Sequence, residues 1–247
     1  HNILYTAVDT LNTYNTYKNN PGLIGEYKDI LTQYGATLGI SFNEEGFSWW
    51  ISRIRHQMRS LDILRIDHFR GFESYWSIPY GEKTAINGEW IPAPGYALFE
   101  AVQKALGGDL PIIAEDLGII TPEVDALRRT FCFPGMKVLQ FAFDSLDEGA
   151  YLPHRYADPD CVCYTGTHDN DTSLGWYLTL RPECQHKVCR YTHCEDAADL
   201  GWCLIRTALG SIARYAVFPL QDVLGYGSKA RMNTPGTASG NWDWRFR

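Results

Sequence analysis

Short apolar runs alternate with longer amphipathic segments along most of this chain, and this alternation constrains the fold more than any other feature. Five runs have the length of strands and lack a regular alternation of polar and apolar residues: 61–67, 111–116, 137–143, 161–169 and 215–222. Strands that are apolar on both faces are typical of parallel sheets covered by helices. The sequence therefore predicts an α/β fold built on a parallel sheet.

Four of the intervening segments have the pattern of helices. They cover residues 44–61, 96–106, 121–131 and 195–215. Thr121 is a good N-cap and Pro122 suits the first helical position, so the third helix is predicted to begin there. Gly107 and Gly108 follow the second segment and predict its C-terminal end.

Composition and charge exclude several classes of partner. The formal net charge is −7, whereas binding to nucleic acid or to an anionic membrane needs a basic face. No apolar run approaches the roughly 18 residues of a membrane span. The seven cysteines are an odd number, which indicates reduced thiols and a reducing compartment. We therefore expect no nucleic acid and no membrane as partner, and a cytoplasmic location, or a plastid if the source is a plant or alga.

A cluster of cysteines and histidines suggests a zinc site as one interpretation of residues 184–194. Its members are Cys184, His186, Cys189, His193 and Cys194. Structural zinc sites usually present paired Cys-x₂₋₄-Cys hooks, and this segment has none. The favoured interpretation is a polar helix and loop, with no metal and no cofactor.

Three of the predicted strands run into a carboxylate at their carboxyl ends. These residues are Asp67, Glu115 and Asp169, and the first and last of them lie about 100 residues apart in sequence. Ligands of parallel α/β folds bind at the carboxyl ends of the strands. Three acidic residues in this position on successive strands therefore predict a functional site.

The surroundings of these residues suggest how they divide the chemistry. Arg65 lies two residues before Asp67, on the same side of a strand, and favours the ionised form that a nucleophile needs. Glu115 follows an apolar strand, where desolvation favours the protonated form of a general acid. One charged and one neutral carboxyl group are typical of glycoside cleavage. Asp169, beside His168, could bind sugar hydroxyls and stabilise a positively charged transition state.

Structural roles remain open for each of these groups. Asp67 could belong to an ion-pair network with Arg65 and Arg70. Glu115 and Asp116 could cap the helix that begins near residue 121. Each role would explain a charged residue at a strand end without any catalysis.

The segment "HDNDTS", residues 168–173, also fits the start of a helix. For Asn170 and Asp171 we favour a capping role over a catalytic one. Metal binding by "DND" has suitable residue types, but the loop lacks the spaced oxygen ligands of a calcium site.

Longer motifs connect the chain to a known family. They read "LRIDHFRGFESYWSIP", "PIIAEDLGIITPEV", "TGTHDNDTSLGW" and "FPLQDVLGYGSKARMNTPGTASGNWDWR". In content and order these motifs resemble the amylomaltase family, the 4-α-glucanotransferases also called disproportionating enzymes, within the wider α-amylase clan. The resemblance covers roughly residues 44–247.

The resemblance implies a (β/α)₈ barrel and a retaining reaction on α-1,4-glucans such as maltooligosaccharides, starch or glycogen, with no cofactor. Carried over motif by motif, Asp67 matches the nucleophile after the fourth barrel strand and Glu115 the general acid/base after the fifth. Asp169 matches the transition-state stabiliser after the seventh. Arg65 matches the arginine that orients the nucleophile, and His168 a residue that binds the donor sugar.

The position of these motifs implies that only part of the barrel is present. About 60 residues precede Asp67, too few for three βα units of roughly 30 residues each. We therefore expect the later strands, about the fourth to the eighth, as a partial barrel within a catalytic portion of residues 44–247. Residues 1–43 match the family poorly and lack its active-site loop motif.

Three functional interpretations follow from these expectations. The first is a 4-α-glucanotransferase that forms a covalent glycosyl intermediate on Asp67. The second is a catalytically silent truncated fragment or a weak glucan binder. The third is an amylase-like hydrolase, which would share the three carboxylates but pass the intermediate to water.

Overall fold

The computed structural model describes residues 47–145 and 149–246. The chain divides into two compact units, residues 1–133 and 134–247. The poorly matching segment predicted at residues 1–43, and the first three residues of the helix predicted at 44–61, lie outside the described residues.

In the first unit, the described residues form helices and short strands in alternation. The helices are α1 (Ser48–Gln57), α2 (Gly95–Leu106) and α3 (Pro122–Thr130). The strands are β1 (Leu64–Ile66), β2 (Ser74–Ser77), β3 (Glu89–Pro92) and β4 (Ile112–Ala114), and a 3₁₀ turn covers Phe69–Phe72.

Strands β1 and β4 form a parallel pair, as predicted for the runs at 61–67 and 111–116. Their register places Ile66 opposite Ala114. Both strands are shorter than predicted, because the backbone leaves the sheet directly after Ile66 in β1 and after Ala114 in β4. All three residues of β4 are buried, which confirms that this strand is apolar on both faces.

The helix ends predicted from the sequence are confirmed. The hydroxyl oxygen of Thr121 accepts a hydrogen bond from the N–H of Val124 at 3.5 Å, with Pro122 as the first helical residue of α3. Gly107 ends α2 in the left-handed conformation, with φ of 85°. Glycine adopts this conformation without the steric cost that a Cβ atom would add.

An antiparallel hairpin of β2 and β3 was not predicted from the sequence. Trp76 lies directly opposite Trp90 in its register, and the two rings meet edge to face with centroids 5.4 Å apart. Such cross-strand aromatic pairs stabilise a hairpin by about 0.5–1.5 kcal/mol beyond the burial of their area.

Phenylalanine side chains dominate the core of the first unit. Phe69, Phe99 and Phe133 are fully buried, and their ring centroids lie 5.2–6.0 Å from one another. Phe69 comes from the turn that follows β1, whereas Phe99 comes from α2. The residues directly after Asp67 are therefore anchored in the core.

In the second unit, the described residues again alternate between strands and helices. The strands are β5 (Gly135–Val138), β6 (Cys161–Tyr164) and β7 (Tyr215–Val217). The helices are α4 (Ser173–Thr179), α5 (Pro182–Thr192), α6 (Leu200–Leu209) and α7 (Leu220–Val223). Short 3₁₀ turns cover Leu139–Ala142, Pro153–Arg155, Ala197–Asp199 and Ser228–Ala230.

Strands β5, β6 and β7 form a three-stranded parallel sheet in that order, which confirms the predicted parallel pairing. The run at 137–143 is only partly a strand. It leaves the sheet after Val138 and forms a 3₁₀ turn, in which the buried Gln140 donates its side-chain amide to the carbonyl of Asp171 at 2.9 Å.

The helix predicted at 195–215 is shorter in the structure. Asp196 caps a 3₁₀ turn by accepting from the N–H of Ala198, and α6 begins only at Leu200. Within α6, a Cβ atom built on Gly201 would lie 2.2 Å from the carbonyl oxygen of Asp222. The absence of a side chain at residue 201 therefore lets α6 and α7 approach closely.

Both units are thus mixed α/β structures with parallel strands, as predicted. The strands form partial sheets, and no closed barrel is present within either unit as far as it is described. None of the helices in the described ranges is long and apolar enough to cross a membrane.

Candidate active site

Asp67 is the first residue after β1, and Arg65 holds its side chain. The guanidinium Nη2 of Arg65 lies 2.6 Å from Oδ1 of Asp67. Both side chains remain partly accessible, at 29% for Arg65 and 39% for Asp67. The contact predicted from the two-residue spacing is confirmed, and it leaves the carboxylate open to a ligand.

Glu115 is the first residue after β4 and lies in register with the residue after β1. Its backbone N–H donates to the carbonyl of Ile66 at 2.9 Å, and its carbonyl accepts from the N–H of Phe69 at 3.0 Å. The parallel pair of β1 and β4 therefore brings Asp67 and Glu115 to the same end of the same two strands.

The side chain of Glu115 is held by two backbone donors. Oε2 accepts from the N–H of His68 at 2.7 Å, and Oε1 accepts from the N–H of Leu117 at 2.9 Å. His68 has a left-handed backbone, with φ of 49° and ψ of 52°, a conformation that costs a non-glycine residue about 1–2 kcal/mol. The bond from its N–H to Glu115 offsets part of this cost and links the two strand ends.

The ion-pair network suggested for Asp67, Arg65 and Arg70 is only partly present. The ion pair of Arg65 with Asp67 is present, but Arg70 is engaged elsewhere. It donates to the carbonyl of Ile119 and lies over the ring of Trp90, 4.2 Å from its centroid. An ion-pair network of Asp67 with both arginines is therefore not formed.

Neither Glu115 nor Asp116 caps α3. Thr121 has that role, while Asp116 lies 3.5 Å from Nε of the buried Arg128. The two neighbouring acidic residues thus have different surroundings. Asp116 is paired with an arginine on α3, and Glu115 is turned toward the segment that follows β1.

Asp169 and His168 belong to the second unit, in the connection between β6 and α4. Nε2 of His168 lies 3.3 Å from Oδ1 of Asp169. The side chains are 27% and 43% exposed, respectively. This connection therefore presents a carboxylate and an imidazole, next to each other, to solvent.

Two further residues hold Asp169, and sequence reasoning did not single them out. The side-chain amide of Asn233 donates to Oδ1 of Asp169 at 2.5 Å, and Nη2 of Arg231 donates to its backbone carbonyl at 2.8 Å. The N–H of Asn233 also donates to the carbonyl of His168 at 3.1 Å. Both residues lie in the "KARMN" part of a quoted motif, which was the only signal in the sequence.

An exposed tryptophan covers the imidazole of His168. The ring of Trp242 lies 5.2 Å from that of His168 between centroids, and its side chain is 43% exposed. By contrast, Tyr75, another aromatic residue of the motifs, is buried at 5% exposure. Trp242 therefore offers an aromatic face beside Asp169, whereas Tyr75 packs in the core.

The prediction that Asn170 or Asp171 caps the following helix is wrong. The N-cap of α4 is Thr172, whose hydroxyl oxygen accepts from the N–H of Gly175 at 3.1 Å. The side-chain oxygen of Asn170 instead accepts from the N–H and hydroxyl of Thr167, three residues earlier in the same loop. Oδ1 of Asp171 accepts from the N–H of Thr172 at 2.8 Å, so the side chains of Asn170 and Asp171 both bond to the loop before the helix begins.

The cysteines and histidines of residues 184–194 lie on and after α5. Cys184 and Cys194 are buried, and all seven cysteines of the chain are free thiols. In the described ranges, no group of three or more His, Cys, Asp or Glu residues is arranged to hold a metal ion. Burial, together with a hydrogen bond to Cys203, raises the pKa of the Cys194 thiol to about 12, as expected for an unreactive buried cysteine.

These observations define an α/β protein with a carboxylate pair at the ends of neighbouring parallel strands. A family model described as 4-alpha-glucanotransferase matches residues 41–247. The 4-alpha-glucanotransferase of Synechocystis sp. is 59% identical over 201 residues, which cover 81% of this chain and 40% of that protein. A chloroplastic/amyloplastic 4-alpha-glucanotransferase of Solanum tuberosum is 48% identical over 206 residues, covering 83% of this chain and 35% of that protein.

A solved structure extends the comparison to three dimensions. The amylomaltase of Streptococcus agalactiae in complex with acarbose matches with a TM-score of 0.76 and 38% sequence identity. The match covers 82% of this chain and 41% of the other.

The chain belongs to the 4-alpha-glucanotransferase family. The resemblance to amylomaltases found in its motifs is thereby confirmed. The chain spans about two-fifths of the length of the curated relative from Synechocystis.

Proposed function

We propose that this chain provides the catalytic residues of a retaining 4-α-glucanotransferase, which moves segments of α-1,4-glucans to the 4-hydroxyl of an acceptor glucan or glucose. The observation that carries the proposal is the joining of the Asp67 and Glu115 strand ends. Glu115 accepts the N–H of His68, the residue that follows Asp67, at 2.7 Å. In a retaining reaction a nucleophile and an acid/base must flank one bond at close range.

In the first half-reaction Asp67 acts as the nucleophile. Arg65 occupies Oδ1 of Asp67, so Oδ2 is the oxygen that attacks the anomeric carbon of the donor. The bond from that carbon to the glycosidic oxygen breaks, and Glu115 gives its proton to the departing oxygen. The products are a glycosyl ester of Asp67 and a shortened glucan.

In the second half-reaction Glu115 acts as a base. It removes the proton of the acceptor 4-hydroxyl, whose oxygen attacks the anomeric carbon and releases the Asp67 carboxylate. Each oxygen of Glu115 accepts one backbone N–H. A carboxyl group offers about four acceptor positions, so these two bonds orient Glu115 while leaving positions for the transferred proton.

Asp169 stabilises the positive charge that develops on the sugar between these steps. Its Oδ1 is occupied by the amide of Asn233, which leaves Oδ2 for a sugar hydroxyl. His168 binds the donor sugar beside it. The exposed ring of Trp242 is suited to stack on the apolar face of a sugar.

Strands β1, β4, β5, β6 and β7, in chain order, correspond to the fourth to eighth strands of a (β/α)₈ barrel. Residues 44–247 form the catalytic portion, and the poorly matching N-terminal segment of residues 1–43 precedes it. The substrates are maltooligosaccharides and starch or glycogen, and the compartment is the cytoplasm or, in a plant or alga, the plastid.

Incubation with maltotriose, followed by chromatography of the products, tests the proposal. A transferase releases glucose and builds a ladder of longer maltooligosaccharides. The Asp67→Asn variant removes the nucleophile, so we expect the rate to fall by about 10⁴-fold or more. Asp62→Asn is the matched control, since this exposed residue of the same unit precedes β1, and its rate should equal that of the parent.

Two results would contradict the proposal in different ways. Glucose and maltose without longer products would indicate the amylase-like hydrolase. An unchanged substrate, with Asp67→Asn indistinguishable from the parent, would indicate the silent fragment. Circular dichroism of each variant checks that the comparison is made between folded proteins.

A further inference from the structure

Asp222 is a buried carboxylate in the second unit that the proposed chemistry does not use. Its side chain belongs to α7, and the residue is 2% exposed. A carboxylate in such a position is costly unless donors surround it. Among the described residues, Thr165 and Ser173 provide three such donors.

The three hydrogen bonds to Asp222 are short. Oδ2 accepts from the hydroxyl of Thr165 at 2.6 Å and from the hydroxyl of Ser173 at 2.8 Å. Oδ1 accepts from the backbone N–H of Ser173 at 2.8 Å. Hydrogen bonds to an ionised acceptor are about twice as strong as those between neutral groups.

The two donor residues enclose the connection that carries the candidate site. Thr165 directly follows β6, and Ser173 is the first residue of α4. Residues 166–172 lie between them and include His168 and Asp169. The carboxylate of Asp222 therefore accepts hydrogen bonds from the residues at both ends of this loop.

Asp222 is itself fixed by its neighbours. The carbonyl of Val223 accepts from the indole N–H of Trp202 on α6 at 3.1 Å. Gly201 allows the backbone of Asp222 to pack against α6 without a clash. The anchor for the loop therefore belongs to the packed helices of the unit.

We propose that Asp222 is a positioning residue for Asp169. By holding both ends of the 166–172 loop, it keeps the Asp169 carboxylate in the orientation that stabilises the transition state. The inference rests on the proposed function of Asp169, but the effect of Asp222 on the loop can be measured without any enzyme activity.

Three variants and one control test this role. Thr165→Val removes the hydroxyl with little change of shape, and Thr165→Ser keeps the hydroxyl while removing a methyl group. Asp222→Asn replaces one acceptor oxygen by a donor. Thr192→Val is the control, because Thr192 is also a buried threonine of this unit, but its hydroxyl donates within α5 to the carbonyl of Val188.

The first measurement is hydrogen exchange of the backbone amides of residues 166–172, followed by mass spectrometry. In Thr165→Val and Asp222→Asn we expect exchange of this loop to rise by about 5- to 10-fold, since each loses a charge-assisted bond at a loop end. In Thr165→Ser and Thr192→Val it should match the parent. Unchanged exchange in both Thr165→Val and Asp222→Asn, or equal effects of the two Thr165 variants, would overturn the inference.

The second measurement is kcat and KM for maltotriose. A misplaced stabiliser lowers kcat by about 10- to 100-fold while KM stays within roughly threefold. A looser loop with unchanged kcat, or a change in KM alone, would overturn the role of Asp222. An inactive parent would contradict the proposed function instead, and the exchange measurement would still decide whether Asp222 holds the loop.

Discussion

The side-chain amide of Asn233 donates to Oδ1 of Asp169 at 2.5 Å, although the two residues lie 64 positions apart in the chain. Arg231, two residues earlier, donates to the backbone carbonyl of Asp169. The segment that follows the last strand therefore fixes both the side chain and the backbone of the candidate stabiliser.

Asn233→Asp should be more damaging than Asn233→Ala. The aspartate would place a second negative charge next to Asp169, whereas alanine only removes a donor. We expect the rate of maltotriose disproportionation to fall by about 10²-fold for alanine and further for aspartate. Asn87→Asp, the same change at an exposed residue of the first unit, should leave the rate unchanged. Equal rates for the two Asn233 variants would contradict the charge argument.

Arg65 should be needed for the orientation of Asp67. Arg65→Met keeps much of the side-chain length but removes the contact of 2.6 Å to Oδ1. We expect kcat to fall by about 10²-fold with little loss of thermal stability, because both partners are partly exposed. Arg190→Met, at an exposed position of α5, serves as the control. A fall in melting temperature that accounts for the lost activity would instead indicate a structural ion pair.

A side chain at residue 201 should destabilise the protein. The Cβ atom of Gly201→Ala would lie 2.2 Å from the backbone oxygen of Asp222, so α6 and α7 must separate. We expect the free energy of unfolding to fall by about 1–3 kcal/mol in urea denaturation. Gly210→Ala is the matched control, because its Cβ would meet its nearest atom, the carbonyl oxygen of Arg206, at 3.3 Å. A smaller loss for residue 201 than for residue 210 would contradict this account.

The cysteines should differ in their reaction with iodoacetamide. Burial raises the pKa of Cys163, and burial with a hydrogen bond to Cys203 raises the pKa of Cys194 to about 12. At pH 8 both are therefore almost entirely thiols, and the thiolate is the form that reacts. Exposed Cys132 should be alkylated first, as followed by mass spectrometry. In urea all cysteines should react at similar rates, and alkylation of folded Cys194 as fast as Cys132 would show the prediction to be wrong.

Much of the parallel architecture could be predicted, because strands without alternation of polar and apolar residues are buried on both faces, and such strands occur mainly in parallel sheets. The cap at Thr121 and the stop at Gly107 followed from local chemistry, which acts over a few residues. The hairpin of β2 and β3 was missed because its strands are four residues long and its outward residues are aromatic. The contact of Trp76 with Trp90 helps to stabilise it, and these residues are opposite each other in the hairpin but 14 positions apart in sequence.

The candidate site was predictable where its residues are neighbours in sequence or in strand register. The contact of Arg65 with Asp67 follows from the period of a strand, and the proximity of the Asp67 and Glu115 strand ends follows from parallel pairing. The contacts of Asn233 and Asp222 arise from segments after the last strand. No periodicity connects such segments to the loop at residues 166–172, so only tertiary structure reveals them.

The parallel pairing of β1 with β4 also has a consequence for how the protein is made. The N–H and C=O groups of β1 that bond to β4 have no partner until the ribosome has added β4, roughly 50 residues later. At about 5–20 residues per second, this delay lasts several seconds. During that time the apolar segment around Ile66 is an unpaired edge available to chaperones or to a neighbouring nascent chain.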